Sequence, residues 1–209
     1  VGADYSYSIS SNGGGTPVTG TGTVSDGAQQ ITGLDVGNLG DGTLTLSVAL
    51  TDEAGNQSSS VTTTATLDAT AASVTLDSAA DPVTHAEFTV SITFDELVNG
   101  FAVGDITVSN ATVGSFSGSG ASYTATITPT DDGTVTVDVG AGVAQDAAGN
   151  DSTAATQLSR VYDGTAPMPV ITTDVTADVT NAPIGVTVDF GETVTGFVSG
   201  DLSVNNGSV

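Results

Sequence analysis

Cysteine, tryptophan and lysine are absent, histidine and methionine occur once each, and Arg160 is the one strong base against 24 acidic residues. Each absence closes a class of function. Without Cys there is no disulfide framework, no thiolate metal site and no cysteine nucleophile. At a formal net charge of −23 the chain has nothing with which to neutralise the phosphates of a nucleic acid or an anionic membrane surface. No apolar run approaches the ~18–20 residues of a membrane span. Charged residues are only 12% of the 209, because the remainder is rich in Thr, Ser, Gly and Ala, which separates the chain from the Lys/Glu-rich composition of disordered segments. The length allows one large domain or two ordinary ones, and repeats of about 90 residues are large enough to bury a core each. An acidic, Thr-rich chain without Lys points to an extracellular location, and the lack of Cys does not place it in the cytosol. Beginning at Val1-Gly2, with neither an initiator Met nor a charged-then-apolar leader, it reads as an internal piece of something longer.

What is present is strand signal. Residues 88–94, 123–128 and 134–139 alternate apolar with small polar side chains at period two, with a β-branched bias, as strands with one buried face do. Turn clusters such as Ser11-Asn-Gly-Gly-Gly15, Asp41-Gly42, Ser117-Gly-Ser-Gly120 and Asp132-Gly133 separate them. No window shows helical periodicity, and 27 glycines disfavour long helices.

An internal repeat organises these elements. Residues 84–101 align without gaps with residues 180–197, 96 positions later, and the register continues from Gly104-Asp-Ile-Thr-Val-Ser-Asn110 to Gly200-Asp-Leu-Ser-Val-Asn-Asn206. Leu67-Asp-Ala-Thr-Ala71 matches Tyr162-Asp-Gly-Thr-Ala166, and Asp52-Glu-Ala-Gly-Asn56 matches Asp146-Ala-Ala-Gly-Asn150. The complete copy offers about seven strands, near 72–76, 87–94, 105–109, 113–117, 122–128, 134–140 and 155–162, the count of a Greek-key immunoglobulin-like sandwich. The first copy offers five, near 5–10, 16–24, 28–33, 43–51 and 59–67, and the last about three. The expected fold is therefore all-β: tandem immunoglobulin-like β-sandwiches, with residues 69–163 complete, 1–68 lacking its first strands and 164–209 the beginning of a third.

These motifs resemble the bacterial immunoglobulin-like (Big-type) tandem repeats of large RTX and biofilm-associated surface adhesins. The residues that carry the resemblance are Asp163-Gly-Thr-Ala-Pro167 at a junction, Asp146-Ala-Ala-Gly-Asn150 before the last strand, and Phe94-Asp-Glu-Leu-Val-Asn-Gly-Phe101 followed by Gly104-Asp-Ile-Thr-Val108. One departure is Ala72, where the first junction lacks the usual Pro. The calcium-binding nonapeptides found near the C-termini of many such adhesins are absent from this sequence. The resemblance implies secretion to the bacterial cell surface and neighbouring repeats of the same chain as partners. It also implies a host or biofilm-matrix ligand elsewhere in the parent protein.

Catalysis finds little to work with. His85 sits in a polar stretch and is replaced by Asn181 in the next copy; Asp131-Asp132 before Gly133 reads as a turn; Arg160 reads as a surface base. The chain is expected not to be an enzyme. The recurring carboxylates are a better lead, since calcium takes six to eight oxygen ligands and needs neither Cys nor His. Greek-key topology places the loop after the second strand and the loop before the last strand at the end where the linker enters. At the first junction that gathers Asp68, Glu96, Asp105, Asp146 and Asn150; at the second, Asp163, Glu192 and Asp201; the first copy keeps Asp52 and Asn56. Asp and Asn before Gly also make tight turns without a metal, and a linker Asp followed by Thr can cap a local turn, so both readings stay open. Glu96 and Glu192 favour a ligand, because Glu is poor in turns. The expected role is a calcium-stiffened stalk repeat. Its rival is a glycan- or host-protein-binding module, which the absence of Trp and the core-like recurrence of Phe101 and Phe197 disfavour.

Overall fold

The computed structural model describes residues 2–175, 183–205 and 207. Within residues 74–162 the chain forms two four-stranded sheets. The first is ordered β5 (Val74–Asp77), β7 (Phe88–Phe94), β10 (Ser122–Pro129), β9 (Ala111–Ser119); the second is β6 (Val83–Thr84), β12 (Leu158–Tyr162), β11 (Gly133–Val139), β8 (Ile106–Ser109). The segment that opens the unit divides between them. β5 pairs antiparallel with β7, whereas β6 pairs in parallel with β12.

Period-two alternation decides which face is buried. Phe88, Val90, Ile92 and Phe94 of β7 are buried while Thr89, Ser91 and Thr93 between them are exposed. They meet Tyr123, Ala125 and Ile127 of their own sheet and Val135, Val137 and Val139 of the other. Each fully buried Val or Ile contributes roughly 1.5–3 kcal/mol. With no Trp to fill volume, an aromatic cluster does so at the linker-proximal end: Phe94, Phe101 and Tyr123 meet edge-on with centroids 5.0–6.1 Å apart, and Phe116 stacks on Tyr123 at 5.7 Å. This aromatic packing uses Phe101 as core.

Residues 4–67 form one sheet, ordered β2 (Val18–Thr23), β1 (Asp4–Ser11), β3 (Gly42–Thr51), β4 (Val61–Leu67). The expected strand at 28–33 is absent. Gln29 instead accepts from the Ser25 amide and hydroxyl, closing a turn, and Ile31 lies with Tyr5, Val48 and Leu50 rather than pairing. In the last segment β13 (Val170–Thr173) pairs with β14 (Val186–Asp189). The third expected strand there does not form among the described residues up to 205; in the middle unit its counterpart β8 is held by β11, and no such partner strand is present among the described residues of the last segment. Part of the aligned repeat, residues 180–182 and Asn206, lies outside the described residues.

Candidate metal centre

Three carboxylates from three separate stretches of chain converge where the first linker enters the middle unit. One oxygen each of Asp68, Glu96 and Asp146 lies within 4.8 Å of the others. Asp68 follows β4, Glu96 follows β7, and Asp146 lies between β11 and β12. Backbone bonds hold the last two loops together: the Asn99 amide donates to Gln145 O at 2.7 Å and the Gln145 amide to Asn99 O at 3.0 Å. The linker is fastened in turn by the Thr153 amide, which donates to Ala72 O at 2.9 Å.

The three carboxylates are not equivalent. Asp146 is only 4% exposed, and its Oδ1 accepts from the amides of Ala148, Gly149 and Asn150 at 2.7–2.9 Å, with Asn150 Nδ2 on Oδ2 at 2.7 Å. The Asn150 side chain, aided by those amides and opposed by burial, holds this carboxyl below its ordinary range. Glu96 accepts no hydrogen bond among the described residues. Desolvation, followed by the charges of Asp68, Asp146, Asp95 and Asp41, pushes its carboxyl up. Its neighbour Asp95 points elsewhere and is satisfied by the amide and hydroxyl of Ser73 at 2.8 and 2.7 Å, which lower it. A carboxylate without donors, facing two others, is a group that a cation would stabilise.

Asn150 is beside the cluster in another role. Its Nδ2 donates to the Asp68 carbonyl at 3.2 Å and the Thr70 carbonyl at 3.4 Å, so it holds the linker. Asp52 and Asn56 repeat the internal bonds of this loop: Asp52 Oδ1 accepts from the amides of Ala54 and Asn56, and Oδ2 from Asn56 Nδ2. Both loops turn through a glycine at positive φ, Gly55 at 89° and Gly149 at 94°, which is why Gly recurs there. Asp105 is not in the cluster. Its Oδ2 accepts from the Ala102 amide at 2.8 Å, across a single 3₁₀ turn. Asp201 does the same for Val198 at 3.0 Å, so a local turn accounts for the recurrence of this pair. At the second junction Asp163 accepts from the Thr165 amide at 3.3 Å, as Asp68 does from Thr70. Glu192 lines a groove with Thr165, Ala166, Met168 and Phe190. Asp163, Glu192 and Asp201 form no three-carboxylate group among the described residues.

Two acids that sequence reading took for turn residues prove to reach the linkers. Asp41 Oδ1 accepts from the Ala69 amide at 2.8 Å and its Oδ2 from the Thr70 hydroxyl; Asp132 does the same to Gly164, at 2.6 Å, and to Thr165. The signal was a repeated Asp-Gly-Thr, at 41–43 and 132–134, before β3 and β11. The remaining chemistry-bearing side chains are elsewhere: His85 is exposed, and Arg160 donates to the carbonyls of Ser159 and Ser78. Among the described residues no helix is long and apolar enough to cross a membrane.

Among curated proteins none matches the chain. A solved structure, described as a tetra-tandem repeat in the extending region of a large adhesion protein, is similar at 22% identity and a TM-score of 0.32. The match covers 90% of this chain, which spans 55% of the other. The model of the bacterial Ig-like domain family matches residues 68–162, the stretch that carries both packed sheets.

Proposed function

We propose that the chain is part of the stalk of a bacterial surface adhesin, a run of structural Ig-like repeats outside the cell, stiffened by calcium between linker and loops. The observation that carries the metal reading is the meeting of Asp68, Glu96 and Asp146 within 4.8 Å, one from the linker and two from loops of the unit that follows. Oxygen-only ligands of high charge suit calcium, and extracellular calcium modules bind at roughly 10⁻⁴–10⁻³ M. An ion shared by linker and loops would tie the direction of the linker to the unit ahead. The role is mechanical, with no catalytic constellation required. The partners in this reading are neighbouring repeats, with any host or matrix ligand bound elsewhere in the parent protein.

Calcium titration of chelated protein, followed by melting, tests this. At 100 times its dissociation constant a ligand that binds only the folded state contributes about 2.7 kcal/mol. A rise of several degrees in the melting temperature of the middle unit is expected. Magnesium should do less, because it needs near-ideal octahedral geometry. Glu96→Gln should lose most of the calcium response, whereas Asp138→Asn, whose carboxylate holds Gln157 on the sheet, should keep it. Identical melting in calcium and in chelator would overturn the metal reading.

A further inference from the structure

Asp41 and Asp132 belong to different units and lie before different strands, yet they make the same pair of bonds. In each, Oδ1 accepts the amide of the residue just after the linker Asp (Ala69, Gly164), and Oδ2 accepts the hydroxyl of the Thr after that (Thr70, Thr165). Both acids are followed by a glycine in a conformation L side chains avoid, Gly42 at φ 138° and Gly133 at φ 130°. That turn sends the backbone into β3 or β11 while the acid side chain stays over the departing linker. The carboxyl of each is held below its ordinary range, first by the Thr hydroxyl and then by the amide. The second junction keeps this arrangement although Gly164 and Pro167 stand where the first has Ala69 and Ala72.

We propose that Asp41 and Asp132 are linker clasps: each fastens the chain leaving its own unit through one amide and one Thr hydroxyl, with no metal, and so sets its exit direction. The inference does not rest on calcium, because Asp41 is outside the three-carboxylate group and its own donors satisfy it. A junction then has two fastenings. The clasp ties the linker to the unit behind, and Asn150, the Thr153 amide and any bound cation tie it to the unit ahead. Asp-x-Thr in the linker and Asp-Gly-Thr upstream are two halves of one device, with Asp68 27 positions after Asp41 and Asp163 31 positions after Asp132.

The absence of Cys makes a clean test available, since two introduced thiols are the only ones to label. Spin labels on the full chain at Thr19→Cys in β2 and Ser115→Cys in β9, both exposed, report the distance between first and middle units. With calcium in excess, so that the linker is also fastened to the unit ahead, the otherwise unaltered chain should give one narrow distance distribution. Thr70→Val, which removes only the hydroxyl bond, should lose that single narrow peak, as should Asp41→Ala, while Thr70→Ser should restore it. Thr70→Val keeps the proposal testable if Asp41→Ala disturbs folding of the first unit. A narrow peak that survives Thr70→Val, or a distribution already broad before any clasp substitution, overturns the clasp. Neither result bears on the calcium titration, which is read from melting.

Discussion

The middle unit and the last segment obey the same local rules and differ in almost everything that burial controls. Applying the linker offset of 95 to β5 and the strand offset of 96 to β7 turns the pairs Thr75↔Thr93, Leu76↔Ile92 and Asp77↔Ser91 into Val170↔Asp189, Ile171↔Val188 and Thr172↔Thr187, the register of β13 on β14. The edge-on pair Phe94–Phe101, at 5.3 Å and 72°, returns as Phe190–Phe197 at 4.9 Å and 70°. Yet Val90 is wholly buried whereas Val186 is 48% exposed, and Phe101 is 7% exposed against 42% for Phe197. Pairing, register and ring geometry are therefore local properties of this sequence pattern. Burial comes only from the second sheet.

The harshest way to break that comparison is to separate the two regions. A peptide of residues 164–209 should show no cooperative unfolding, because one two-stranded ribbon buries too little to offset backbone entropy. Residues 68–163 should unfold in a single transition. Circular dichroism on heating checks both, and a sharp transition in the shorter piece would show that its strands need no second sheet.

A gentler test uses the same substitution at matched positions. Val90→Ala removes two methyl groups from a site with no exposure and should cost about 2–3 kcal/mol of the middle unit's stability. Val186→Ala, 96 residues on and half exposed, should stay within ~0.5 kcal/mol. Denaturant titration of the full chain, read through the middle unit, measures the first; amide exchange across β14 follows the second.

Much of the fold was legible because period-two alternation writes burial directly into the sequence: Phe88-Thr-Val-Ser-Ile-Thr-Phe94 names its own core face. The strand expected at 28–33 failed because Ile31 is its only large apolar residue, and one side chain sets no alternation; the turn closed by Gln29 decided the conformation instead. Candidate ligands were partly readable for the opposite reason. Recurrence marks a residue as constrained without saying by what: Glu96 stood out because Glu is poor in turns, but nothing separated Asp105 as a residue that caps its own turn from an acid that faces two other carboxylates. Asp41 was hidden because its partner lies 28 residues away, and nothing in a one-dimensional pattern tells a turn acid from one that reaches across to a linker.

The smallest expected effect concerns matched glutamates. Glu96 carries a carboxyl raised above its ordinary value of about 4.5, so the folded chain holds that proton more tightly than the unfolded chain does. Ionising Glu96 therefore costs stability: nothing below the ordinary value, a growing amount as pH rises through the window, and the full amount above the raised value. In chelator at neutral pH Glu96→Gln should melt slightly above the parent, and the two should converge as pH falls below the ordinary value. Calcium should reverse the order at neutral pH, because the parent gains a ligand charge the variant lacks. Glu192→Gln, at the junction where no three-carboxylate group forms among the described residues, should show no such reversal in calcium. Melting curves at several pH values, with and without calcium, check all four cases. Parallel behaviour of the two variants would mean that the environment of Glu96 is no more acidic than the exposed surface around Glu192.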